Sequence, residues 1–93
     1  MIEYRFHWRP SASSPAVQAS VDLDAESKLH GAAIALREFM QRGCDIAAPL
    51  AHVDVTEAGV GPHILLVEEV LDWLKDPGQS AFVQHEGLAV LLR

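Results

Sequence analysis

The residues best suited to chemistry sit together in one alternating stretch, Ala51-His52-Val53-Asp54-Val55-Thr56. Side chains two apart on a strand share a face, so the His52 imidazole and the Asp54 carboxylate stand side by side, with His63 following soon after. Such a set offers ligands to a divalent metal (His52, Asp54, His63) or a general base with the acid that orients it. The bland alternative is an ordinary polar strand face, because no Cys-x-x-Cys or His-Glu-x-x-His spacing sharpens the pattern.

Gly59-Val60-Gly61-Pro62 invites a second chemistry, since a glycine-rich loop between a strand and a helix can cradle a phosphate. The residue types argue against it. Ile64 stands where a dinucleotide fingerprint needs glycine, no Lys-Ser/Thr follows, and Pro62 removes an amide donor. The stretch is expected to turn the chain, with Pro62 at the first position of a helix, where a missing N–H is harmless. Cys44 follows Gly43 at a helix's carbonyl end, where the dipole disfavours a thiolate, so it reads as a packing residue. Serines 11, 13 and 14 lack the context of a nucleophile elbow and read as loop.

These residues need elements to position them. Residues 2–9 alternate strictly, with Ile2, Tyr4, Phe6 and Trp8 on one face and Glu3, Arg5, His7 and Arg9 on the other. After the breaker-rich segment 10–15, alternation resumes with Val17, Ala19, Val21 and Leu23 against Gln18, Ser20 and Asp22. An antiparallel pair is expected, and one register that fits both faces sets Arg5 opposite Asp22. Asp24 as N-cap and Glu26 in the first turn introduce a helix to about Arg42, with Leu29, Ala32, Ala33, Leu36, Phe39 and Met40 inward and Gly43 as its stop; His30 reads as helix surface.

A linker containing Pro49 leads to strand three, residues 51–57, and then to a second helix from Pro62 to Lys75. Ile64, Val67, Val70, Leu71 and Leu74 form its core side, and Asp76-Pro77-Gly78 ends it. A final hairpin, SAFVQH and LAVLLR about Glu86-Gly87, closes the order ββαβαββ, with His85 solvated beside the turn. The expected class is α+β: a two-layer sandwich of a mostly antiparallel sheet with two helices on one face, residues 1–93 forming one domain.

The uncovered face would then carry the candidate ligand contacts Arg5, His7, His52, Asp54 and Thr56, His7 and His52 sharing it only if strands one and three are neighbours. Trp73, Leu66, Leu88, Val90 and Leu92 are more apolar than so small a sandwich easily covers, and predict an interface. The chain carries 13 acidic and 7 scattered basic residues, a formal charge of −6, which opposes nucleic-acid binding. Its longest aliphatic run, Ile64-Leu65-Leu66-Val67, falls far short of the roughly 18 residues a membrane span needs, and the first residues are charged instead of forming an apolar signal core.

One cysteine permits no internal disulfide, which fits a cytoplasmic location. The expected function is binding, to a second copy as a dimer or to another protein, with no cofactor and no catalysis of its own. The alternative is a small-molecule or metal-dependent activity on the open sheet face, built from His52, Asp54 and His7.

Overall fold

A computed structural model describes residues 1–9, 19–47 and 51–92. The serine- and proline-rich segment 10–15, Val17 and Gln18, the linker residue Pro49 and Arg93 lie outside the described residues. β1 (Ile2–Arg9), β2 (Ser20–Ala25), β3 (His52–Glu57) and β4 (Val60–Leu66) form a four-stranded sheet in the order β2-β1-β3-β4, every pairing antiparallel. The α+β class with a sheet under helices stands as expected. Strand one is central, its alternation splitting the sheet into Tyr4, Phe6 and Trp8, all buried, and a face carrying Glu3, Arg5 and His7.

Helix α1 (Lys28–Gln41) lies across the apolar face, with Ala32, Ala33, Ala35, Leu36 and Phe39 fully buried. Its small side chains let helix and sheet come close. Gly31 lies directly against the sheet: a Cβ built there would meet the Phe6 ring 2.8 Å away and the Ala25 Cβ 3.2 Å away. The Phe39 ring packs on Trp8 with centroids 5.8 Å apart. The N-cap is Ser27, not Asp24, because Asp24 is still paired with Glu3 in the β1–β2 ladder and Glu26 precedes the helix. The Ser27 Oγ accepts from the His30 N–H. At the other end Gly43, with φ +92°, stops the helix as its sequence position implies. Its N–H donates to the Met40 carbonyl and that of Cys44 to the Phe39 carbonyl, the paired bonds of a Schellman turn.

The order departs from ββαβαββ after residue 57. Pro62 and Ile64 belong to β4, not to a helix, and α2 covers only Val67–Leu74. Ala58 and Gly59, with φ +48° and +82°, form a two-residue connection in which both central residues have positive φ, the requirement of a type I′ hairpin turn. That turn commits the following residues to pair back on β3, where Asp54 faces Ile64 and Val53 faces Leu65, with an irregularity between Val55 and Glu57. A pattern of Ile64, Val67, Val70, Leu71 and Leu74 fits helical spacing equally well, but its first member is on the strand and is 70% exposed.

The final hairpin is also replaced. Asp76 caps a short 3₁₀ turn, Pro77–Gln79, by accepting from the Gly78 N–H; α3 (Ser80–Glu86) follows and Leu88–Leu92 forms a second 3₁₀ turn. Leu88 and Leu91, three apart, are both buried, a period of three that suits 3₁₀ geometry and no strand. The Arg37 guanidinium donates to the Glu86 carbonyl, tying the end of α3 to α1. No helix among the described residues is long and apolar enough to cross a membrane.

Two substitutions test this packing. Gly31→Ala gains helix propensity of about 1 kcal/mol but overpacks the fully buried Phe6, so a net loss of about 1–2 kcal/mol is expected in urea denaturation. A gain in stability would show that helix and sheet are not in contact there. Ala58→Asn installs Asn-Gly in the β3–β4 turn and should stabilise by about 0.5–1 kcal/mol, since asparagine tolerates positive φ better than alanine; an unchanged or lower denaturation midpoint rejects the turn type.

Candidate functional site

The sheet face opposite the helices gathers the residues that parity assigned to it. With β1 between β2 and β3, His7 lies directly opposite Asp54 on one side and Ser20 on the other, while Arg5 lies between Asp22 and Thr56. His52 is next along β3, so strands one and three are neighbours and both histidines are on this face. His52, Asp54 and Thr56 are half-buried in the middle of the sheet, and Arg5 and His7 are exposed.

Arg5 and Asp22 meet in the register that the alternation allowed. Arg5 Nε donates to Asp22 Oδ1 at 2.7 Å and Nη2 to Oδ2 at 3.1 Å, a bidentate fork across the β1–β2 ladder. The hydrogen bond from Arg5 holds the Asp22 carboxyl below the usual carboxylate range; desolvation opposes it, and the Arg5 and His7 charges add smaller lowering contributions. The same bond raises the Arg5 guanidinium further above its ordinary value. Beside the pair is a shallow cleft of about 210 Å³ lined by Glu3, Arg5, Asp22, Thr56 and Gly59. Its only guanidinium is already held by a carboxylate, so an anion entering the cleft has to displace Asp22 and approach Glu3. The cleft is poorly suited to phosphate.

The glycine loop offers no cradle either. Ala58-Gly59 turns one strand into another, and α2 begins at Val67 directly after β4, without a glycine loop at its N-terminus. His63 lies opposite Val55, which points to the helix layer, and so falls on the other face from His52 and Asp54. Among the described residues no group of three or more His, Cys, Asp or Glu side chains is arranged to hold a metal ion. Cys44 is buried, and burial pushes its thiol above the ordinary value despite the opposing charge of Arg42.

The residues expected at an interface are dispersed. Leu88 is fully buried, while Val90 and Leu92 are half-buried against the core. Trp73 is half-buried in an aromatic cluster, its ring centroid 4.9 Å from that of His30 and 5.9 Å from that of Phe82, with His30 and Phe82 4.7 Å apart. His30 is half-buried and more than a solvated helix-surface residue: its ring joins α1, α2 and α3, and its Nδ1 lies 2.6 Å from Ser27 Oγ. The Ser-x-x-His spacing at the start of α1 was the available signal, since a capping serine turns its oxygen toward the third residue beyond it.

Leu66 alone of the five borders the open face, half-buried opposite His52. Beside it on the open face is an apolar side chain whose exposure the sequence does not reveal, Ile64, 70% exposed; Val60, 65% exposed at the start of β4, pairs with Glu57 on the Tyr4 side and so falls on the helix face of the sheet. In comparison with known proteins, no family model matches the chain and no significant match is found among curated proteins or solved structures.

The Arg5–Asp22 fork makes a prediction with a definite sign. The folded pKa of Asp22 lies below its unfolded value, so the stabilisation is present above the ordinary carboxylate range and is lost as the pH falls through the lowered value. Carboxyl-detected NMR titration should place Asp22 below the ordinary aspartate value, and Arg5→Gln should move it back up. The stability difference between wild type and Arg5→Gln should fade in acid; a difference that persists there points to a packing effect instead.

Proposed function

We propose that this domain works by binding, either to a second copy of itself or to another protein, and that its contact surface is the open sheet face together with its β4 border. The observation that supports the reading most is the pairing of a polar lattice, Arg5–Asp22 and His7 opposite Asp54, with the exposed apolar side chain of Ile64 along one margin. An apolar margin beside fixed polar groups is the composition of a recognition surface, where the first supplies affinity and the second orientation. Among the described residues, the cleft beside the Arg5–Asp22 pair, at about 210 Å³, is below the usual range of ligand sites. Catalysis on this face has little to support it.

A second reading draws on one specific contact. His7 stands directly opposite Asp54, with His52 two residues further along β3, so two imidazoles and a carboxylate share the face, although they are not gathered as a metal-binding group and His63 lies on the other face. This is the small-molecule or metal-dependent alternative, with Arg5 and Thr56 along its edge.

The two readings are separated by His52→Ala and Asp54→Ala, each assayed by thermal shift against divalent metals, nucleotides and common metabolites. Under the binding reading wild type shows no shift with any of these ligands, and both substitutions leave its folding and thermal stability against them unchanged. A ligand at 100 times its dissociation constant adds about 2.7 kcal/mol of stability, so a wild-type shift with zinc or one metabolite that both variants lose moves the function to His52 and Asp54.

A further inference from the structure

The hydrogen-bond ladder shows which backbone groups of β4 face outward. The Val67 N–H donates to the Ala51 carbonyl, in register with the β3–β4 pairs, so Val67 and Ala51 are a bonded pair. Bonded and non-bonded pairs alternate in an antiparallel ladder, which makes Leu65 with Val53 and His63 with Val55 the next bonded pairs. The Ala58 N–H to Glu3 carbonyl bond fixes the same phase from the β1 side, directing Thr56 and Asp54 toward β1. The N–H and C=O of Ile64 and Leu66 therefore point away from the sheet, as does the C=O of Pro62, and among the described residues no strand pairs beyond β4.

The two sheet edges differ in what guards them. β2 carries Asp22 and Asp24 and has its Ser20 carbonyl engaged by the Arg42 guanidinium at 3.3 Å. β4, VGPHILL, has no formally charged residue and places Ile64 70% exposed on the open face. Natural sheets protect edges with charge, proline and bulges. β2 has charge along its length, whereas on β4 Pro62 and the register irregularity lie in the first half and leave Ile64 to Leu66 without such protection. In a chain of net charge −6, β4 is also the edge where two copies can meet without facing carboxylates.

We infer that β4 pairs antiparallel with β4 of a second copy about a two-fold axis at Ile64, joining two four-stranded sheets into one. In this register Ile64 exchanges both backbone bonds with the partner's Ile64, and the Leu66 N–H reaches the carbonyl of the partner's Pro62. Pro62 has no N–H to return, so its position at the end of the paired segment removes a donor where the ladder stops. The Ile64 side chains meet across the axis on the open face, covering the most exposed apolar groups of the strand. The inference rests on the binding reading above and assigns its partner and its edge.

The test combines sedimentation velocity with amide exchange on wild type, Ile64→Glu and the β2-edge variant Asp24→Lys, each checked for an unchanged circular dichroism spectrum and melting temperature at low concentration. Wild type should dimerise, with the Ile64 and Leu66 amides gaining protection as concentration rises. Ile64→Glu, which sets two carboxylates face to face, should weaken the dimer at least about tenfold, whereas Asp24→Lys leaves it intact. Ile64→Cys should form an intermolecular disulfide under mild oxidation, because directly paired Cα atoms fall within the bridging range; the buried Cys44 of wild type serves as the control.

A dimer that withstands Ile64→Glu and leaves the Ile64 amide unprotected overturns edge pairing while keeping the binding reading. A chain that stays monomeric at all concentrations overturns the second copy as occupant; the binding reading then falls too unless an extended segment of another protein protects the same amides.

Discussion

The contact on which the rest depends is Phe6 beneath Gly31. Phe6 is fully buried at the middle of the central strand, and only a residue without a side chain lets α1 approach its ring as closely as it does. Once Phe6 is pinned against the helix, strand parity leaves no choice for its neighbours: Arg5 and His7 must face away. The pairing partners on either side inherit the same division, so Asp22, Asp54 and Thr56 meet Arg5 and His7 on the open face. The candidate site is thus a consequence of core packing, because its residues are sorted by what the helix layer excludes.

The first three strands and α1 were legible because each carries one unambiguous period. Residues 2–9 alternate without a break, α1 repeats apolar residues at helical spacing, and Gly43 marks its end. From residue 58 onward the signals compete. Ala-Gly is a weak hairpin signal beside Asn-Gly, although Ala58 adopts the same positive φ, so the turn that creates β4 left little trace. Without that turn, Ile64, Val67, Val70, Leu71 and Leu74 merge into one helical stripe, and a strand followed directly by a helix looks like a longer helix. The C-terminal segment failed for another reason: two short turns of period three and an α-helix of seven residues offer too few repeats to distinguish from alternation.

The same difference in signal explains what could be known about the site. Arg5, His7, His52, Asp54 and Thr56 lie on strands of clear parity, and they share a face. His63 lies on β4, where parity was unknown, and it faces the other way. In the sequence pattern Trp73 widens the apolar arc of the second helix and Leu88 is surplus on a strand, because the segment after α2 reads as a hairpin. Folded as helix and 3₁₀ turn, it returns across α1, buries Leu88 and closes Phe82 and Trp73 around His30. The apolar surface that remains is on β4 instead.

That relocation changes which physics governs association. A spare helix face is covered by side chains alone and tolerates many partners and angles, whereas a sheet edge also presents backbone donors and acceptors at fixed spacing. Only an extended chain matches both. The acidic charge, which is spread over β2, the helices and the open face, narrows the choice further by leaving β4 as the one edge without a formal charge. The long helical stripe that the sequence suggests would have hidden Ile64 in the core and given the sheet no such edge. The hairpin at Ala58-Gly59 therefore does more than add a strand: it converts an apolar run from core into a surface with direction and register.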